Sequence, residues 1–112
     1  MNYENTTDPE INNSVKLLLI SKHKKESDFD KFFLKMLELS NPNYCNSPAD
    51  AWPIILENKI SIMNDGDMWE ASIDFDGDLG GHGTDEVLTK YYEHKNPLRA
   101  AMIVYLMMQE QK

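Results

Sequence analysis

Ile60-Ser61-Ile62-Met63-Asn64-Asp65-Gly66-Asp67-Met68-Trp69-Glu70-Ala71-Ser72-Ile73-Asp74-Phe75 sets the fold class of this 112-residue chain. Residues 68–75 alternate, with Trp69, Ala71, Ile73 and Phe75 on one face, which is the period-2 pattern of a half-buried strand. Residues 60–63 read as a short strand before it. The Asp-Gly pair between them favours a two-residue hairpin loop, so the two strands run antiparallel. Downstream, residues 86–94 suit either strand or helix by pattern; Thr89, Tyr91 and Tyr92 favour a third strand. Asn96 then caps and Pro97 opens a helix to about residue 109. Leu98, Ala101, Met102, Ile103, Val104, Tyr105, Leu106, Met107 and Met108 cover nearly its whole circumference, which marks it as the buried centre.

Upstream of the hairpin the chain is helical. Thr7-Asp8-Pro9-Glu10 is a helix start with Thr7 as cap, and Ile11, Val15, Leu18 and Leu19 form one apolar stripe ending near Ile20. Ser27 can cap a second helix to about Leu39, with Phe29, Phe32, Phe33, Met36 and Leu37 at helical spacing. Asn41-Pro42-Asn43 is a turn. Ser47-Pro48-Ala49-Asp50 starts a third helix, Asp50 reaching back to the cap amide, with a kink expected near Trp52 because Pro53 removes a hydrogen bond. The expectation is one α+β domain over 1–112: a small antiparallel sheet packed against helices, the last helix central.

Composition narrows the function. The net charge is −8, from nineteen acids and eleven bases. Eight acids and no Lys or Arg lie between residues 65 and 86, leaving eleven acids against eleven bases elsewhere. Six lysines (Lys16, Lys22, Lys24, Lys25, Lys31, Lys35) cluster before residue 36. Such asymmetry can steer a charged partner. A short basic cluster in an acidic molecule does not supply the row of cations that nucleic-acid binding needs, so no direct nucleic-acid contact is expected. No apolar run is long enough to span a bilayer, so no membrane segment is expected either. The amino terminus lacks the basic and apolar regions of a signal peptide, and the single cysteine agrees with a reducing cytosol; a cytoplasmic protein is expected.

No familiar catalytic constellation emerges. Asp74-Phe75-Asp76-Gly77-Asp78 alternates oxygen ligands as a calcium loop does, but the EF-hand positions for glycine and bidentate glutamate hold Leu79 and Asp85. Gly80-Gly81-His82-Gly83-Thr84-Asp85-Glu86-Val87-Leu88 fits a calcium-roll nonapeptide, yet only once, whereas that fold binds metal between stacked copies. A glycine-rich acidic loop over 76–85 is the simpler expectation. His23, His82 and His94 are scattered, Cys45 is alone, and no metal site or cofactor is expected. Trp52, Trp69 and Arg99, with Asn46, Ser47, Asp50 and Asn96 at helix starts, are the candidate ligand-binding residues. Indole faces, a guanidinium fork and cap groups can together hold a base, a ribose or a phosphate. Two tryptophans in a small domain are usually core, and Arg99 could simply pair with Asp50 or Glu57.

Three stretches resemble a known family. Thr7-Asp8-Pro9-Glu10-Ile11-Asn12, then Cys45-Asn46-Ser47-Pro48-Ala49-Asp50-Ala51-Trp52-Pro53-Ile54-Ile55 with Glu57-Asn58-Lys59-Ile60-Ser61, and Asn96-Pro97-Leu98-Arg99-Ala100-Ala101-Met102-Ile103-Val104, look like the small phage proteins called NinX. The chain departs from the pattern at Tyr44, where a proline is expected, and the resemblance leaves out residues 21–39 and 74–92. It implies an accessory protein of a temperate phage, made in the cytoplasm of an infected bacterium. By analogy with other small accessory proteins, it implies action by binding. The leading expectation is a non-catalytic, homo-oligomeric binder that sequesters a small nucleotide-like host signal in counter-defence. The alternatives are an acidic inhibitor that occupies a host defence protein by mimicking nucleic acid, and a small nucleotide hydrolase.

Overall fold

A computed structural model describes residues 2–22, 28–77 and 86–110. A 3-10 turn (Tyr3–Asn5) leads into α1 (Asp8–Lys22), α2 (Asp28–Leu39) and α3 (Pro48–Asn58). The strands β1 (Ser61–Asp65), β2 (Met68–Gly77) and β3 (Glu86–His94) follow, and α4 (Pro97–Glu110) closes the chain. The sheet is antiparallel in the order β1-β2-β3, so the expected α+β architecture holds, including the third strand. The acidic stretch 78–85, with most of the calcium-like sequence, lies outside the described residues.

The hairpin turns one residue later than its Asp-Gly pair suggests. Asp65 pairs with Met68, so Gly66 and Asp67 form the loop. Gly66 has φ 65° and Asp67 does not share the positive sign, the pattern of a turn that wants glycine first. The Asn64 amide donates to the carbonyls of Gly66 and Met68, which holds this register. Ala71 and Ile73 on β2 are buried as the alternation requires, and α4 covers that face of the sheet. Ala100 through Leu106 are all buried, so α4 is the core's axis.

In α1, the Thr7 hydroxyl accepts the Glu10 N–H at 3.3 Å, and Ile11 and Val15 are wholly buried. The helix runs two residues past Ile20, where the Lys22 ammonium lies 5.9 Å from the centre of the Tyr105 ring. In α2 part of the apolar stripe, Phe32 and Met36, stays in water. Phe32 is 65% exposed and Leu39 79%, because the helix rests on α1 and nothing covers its far side among the described residues. Its expected cap, Ser27, is outside the described residues. In α3, Ser47 takes the extended cap conformation but its side chain makes no cap bond. Asp50 reaches further back than the capping box proposes: its Oδ2 accepts the N–H of Asn43 at 2.9 Å. Pro53 sits inside a helix that remains continuous to Asn58. Pro53 and Ala49, whose carbonyl has lost its donor, are both exposed, so water can take the place of that bond.

α3 ends with Lys59 in the left-handed region (φ 55°). Its N–H donates to the Leu56 carbonyl and the N–H of Ile60 to the Ile55 carbonyl, the paired bonds of a Schellman cap, with Ile55 and Ile60 both buried beneath. A lysine here carries a Cβ penalty that glycine avoids. Lys59→Gly is therefore expected to raise stability by about 0.5–1 kcal/mol in urea unfolding, after the entropy glycine adds to the unfolded chain.

Candidate functional site

The amino-terminal ends of α1, α3 and α4 meet at one node, and asparagine side chains tie it together. Asn96 caps α4 by accepting the N–H groups of Leu98 and Arg99 on Oδ1, at 3.0 and 3.3 Å. Its amide nitrogen donates to the Cys45 carbonyl at 2.6 Å and to Asn46 Oδ1 at 3.1 Å. Asn46 in turn donates to Asp8 Oδ2 and to Asn43 Oδ1. Asn12 donates to Asn43 and accepts the Cys45 N–H. Residues far apart in sequence thus form one network in which the Asn12, Asn46 and Asn96 amides use both donor and acceptor and Asn43 accepts twice on Oδ1.

Arg99 anchors this node from inside the fold. It is 7% exposed. Its guanidinium donates to Asp8 Oδ1 at 2.5 Å and to the carbonyls of Tyr3 (2.8 Å) and Thr6. A cation in the first turn of a helix opposes the helix dipole, so a specific carboxylate partner is expected. That partner is Asp8, not Asp50 or Glu57, because the first turn of α1 lies beside that of α4. The Tyr3 hydroxyl donates to Glu110 at 2.6 Å, so the amino-terminal segment is bonded to both ends of α4.

The titratable groups are tuned toward structure. Burial raises the Asp8 carboxyl, but hydrogen bonds from Arg99 and Asn46 and the nearby positive charges more than offset this and hold it below its ordinary value. Burial, reinforced by Arg99, lowers His94, whose neutral Nδ1 accepts the Asn96 N–H at 2.9 Å. Burial and the Asp8 charge push the Cys45 thiol up to about 12, which favours its protonated form at neutral pH. Burial, with Asp50 close by, likewise raises Tyr44 to about 12.

These shifts give a pH dependence. Unfolded His94 takes up its proton near pH 6.5, whereas the folded protein holds it neutral to lower pH. Within that interval the unfolded state binds more protons, so stability falls as the pH drops through it. Asp8 acts with the same sign lower down: its contribution is complete above 3.8 and is lost as pH falls through its depressed folded value. Thermal midpoints should stay level between the ordinary histidine and cysteine ranges and drop on acidification, with His94→Gln removing the upper part of that drop. They should fall again at alkaline pH, where unfolded Cys45 and Tyr44 lose their protons first.

Against the node lies an open groove of about 510 Å³, lined by Asp8, Pro9, Asn12, Asn13, Lys16, Asn41, Pro42, Asn43 and Asn46. Its floor is rigid, because Asp8, Asn12, Asn43 and Asn46 belong to the network. Lys16 on the rim donates to the carbonyls of Glu38 and Ser40, fastening the end of α2. The side chains of Asn13 and Asn41 make no hydrogen bonds among the described residues. The volume is within the range of small-molecule sites.

Of the seven candidates from sequence, Asn46, Asn96 and Arg99 fall in the node, and Asp50 is bonded to Asn43 beside it. Ser47 contributes backbone bonds, its N–H donating to the Asn43 carbonyl at 2.8 Å. The tryptophans are elsewhere. Trp52 lines a second groove of about 440 Å³ with Ile55, Leu56, Lys59, Ile60 and Ile62, and shares no lining residue with the first. Trp69 is half-buried on β2, paired with Asn64 and His94. Asn12, Asn13, Asn41 and Asn43 were missed; the Asn12-Asn13 pair and the asparagines on either side of Pro42 were the available signal. Among the described residues no cluster of His, Cys, Asp and Glu could hold a metal ion, and no helix is long and apolar enough to cross a membrane.

No curated protein and no solved structure matches the chain. The family model described as Bacteriophage P22, NinX, matches residues 11–109, extending over the 21–39 and 74–92 stretches that the motifs left out. It takes in the convergent asparagines and Arg99, and on that span the chain belongs to the NinX family of phage proteins.

Proposed function

We propose that this NinX-family protein is a non-catalytic accessory binder, acting in the infected cell's cytoplasm, that sequesters a small nucleotide-like host ligand in counter-defence. The observation that carries this is the asparagine node on which the three family-like stretches converge, and the groove beside it, lined by Asp8, Pro9, Asn12 and Asn46 from two of those stretches together with Asn13, Lys16 and residues 41–43. An asparagine amide presents a donor and an acceptor side by side, which matches the edge of a nucleobase; the bidentate pairing with adenine is the familiar case. Asn13 and Asn41 offer such amides above a floor already held in place, so little ordering is left to the moment of binding. Pro9 and Pro42 supply apolar surface for a ring. Support for binding without turnover comes from the groups a catalyst would use: the Cys45 thiol is held protonated and His94 spends its lone pair on the α4 cap.

Calorimetry against cyclic mononucleotides, cyclic dinucleotides and ADP-ribose tests the proposal. At least one is expected to bind, with Asn13→Ala and Asn41→Ala each weakening it about 10-fold or more, in line with the 1–3 kcal/mol of a bidentate pair. Absence of heat across the panel overturns it.

An acidic inhibitor of a host defence protein is the second function that an observation favours. By register Asp65, Glu70 and Asp74 share the sheet face opposite Ala71 and Ile73. Glu70 and Asp74, four residues apart on β2, stand roughly 13 Å apart, about two backbone-phosphate intervals. Capture of a host protein that weakens steeply with salt would support it, and capture indifferent to salt would count against it.

A further inference from the structure

We propose that two copies of this chain join through β1, making a continuous six-stranded sheet from the two three-stranded ones. The sheet has two open edges, and they differ. β3 carries Glu86, Lys90 and Glu93, charges that discourage edge-to-edge pairing. β1 reads Ser61-Ile62-Met63-Asn64-Asp65, without lysine, proline or bulge, and its residues are exposed apart from half-buried Ile62.

Backbone geometry determines how a second copy fits. With a two-residue loop, Asp65 and Met68 form the first hydrogen-bonded pair, so Asp65, Met63 and Ser61 spend their backbone groups on β2. The N–H and C=O groups of Ile62 and Asn64 point off the edge. An antiparallel β1 from a second copy satisfies them when Ile62 meets Asn64 and Asn64 meets Ile62, with Met63 facing its own counterpart on the two-fold axis. Met63 is the centre of the five-residue strand, so this register overlaps the whole of it. It also sets Asp65 against Ser61, leaving no acid opposite an acid.

The surroundings favour a second copy over a foreign strand. An isologous contact requires a self-complementary patch. Residues 52–65 hold two acids, Glu57 and Asp65, and one base, Lys59, a net −1 within a molecule of charge −8. Self-association costs least repulsion here, and Glu57 of each copy has a Lys59 to meet across the axis. Trp52 and Leu56 are 54% and 58% exposed beside the groove floored by Ile60 and Ile62, on the face that Ile62 shares with Ala71, and Met63, 58% exposed, stands on the opposite face beside Glu70. The pairing covers this apolar surface, which a single chain leaves in water.

The test uses the full chain. Sedimentation at tens of micromolar is expected to report a dimer. In a non-hydrogen-bonded antiparallel pair the Cα atoms stand about 4.5 Å apart, within disulfide range. Met63→Cys should therefore oxidise to a covalent dimer in near-complete yield, the native Cys45 being buried. Asn64→Cys should not, since its own counterpart lies roughly 9 Å away. Leu56→Glu, at an exposed position, should leave the circular dichroism intact and shift sedimentation to the monomer. A wild-type monomer, or a dimer in which Asn64→Cys cross-links more readily than Met63→Cys, overturns the proposal. The asparagine groove shares no residue with this interface, so the two can fail separately.

Discussion

Arg99→Ala is expected to remove about 2–4 kcal/mol of folding stability, less than deleting one partner of a fully buried ion pair because the Asp8 side chain is 36% exposed. The loss has identifiable parts. Asp8 keeps its charge without the guanidinium that holds its carboxyl low, and the carbonyls of Tyr3 and Thr6 lose their shared donor inside the fold. The amino-terminal segment then keeps its Tyr3 to Glu110 bond at one end and is released at the other. For a domain of this size, whose total stability is of order 5–15 kcal/mol, the variant should be near the edge of folding at 37 °C. Urea unfolding would show a lowered midpoint with an unchanged slope. Arg99→Met keeps most of the volume but none of the donors, and should lose nearly as much. A loss below about 1 kcal/mol would mean that the guanidinium is not committed to the fold and is available to a ligand after all.

Asn96→Ala is expected to cost about 2–4 kcal/mol, more than an ordinary helix cap. A cap contributes about 0.5–2 kcal/mol on its own. Here the same amide also donates to the carbonyl of Cys45, a residue with no exposed surface, and an unpaired buried carbonyl adds about 1–3 kcal/mol. Asn96→Asp separates the two roles: it preserves the acceptor that caps α4 but loses the donor to Cys45 and Asn46, and should fall between wild type and alanine. The residues lie in one network, so a double variant of Asn96 and Asn46 should lose less than the sum of the single ones.

Much of the fold was legible because its signals are local. Strand alternation around Ala71 and Ile73 needs only one buried face to appear, and the apolar circumference of α4 could belong only to a central helix. The Asn96 cap was readable for the same reason, since its partners are two and three residues away. What escaped depends on contacts distant in sequence. The turn moved to Gly66-Asp67 because the strand register, not the favoured dipeptide, decided which residues face each other. Phe32 and Leu39 follow helical spacing yet stay exposed, since spacing shows that a helix has an apolar face and not what covers it. Arg99 needed a carboxylate, but nothing near it in sequence singled out Asp8, ninety-one residues away. Trp52 and Trp69 could be grouped with Arg99 by chemistry alone; the helix face carrying Trp52 turns it toward β1, away from the node.

The central claim is that the groove holds a small molecule and leaves it unchanged. Mass spectrometry of small molecules released from the protein purified out of phage-infected cells tests this most directly. The expected result is a single nucleotide-like compound, intact, close to one per chain, lost from Asn13→Ala and Asn41→Ala protein that remains folded. Protein that carries no such compound, or that on re-addition converts many equivalents of it to product, would contradict the account.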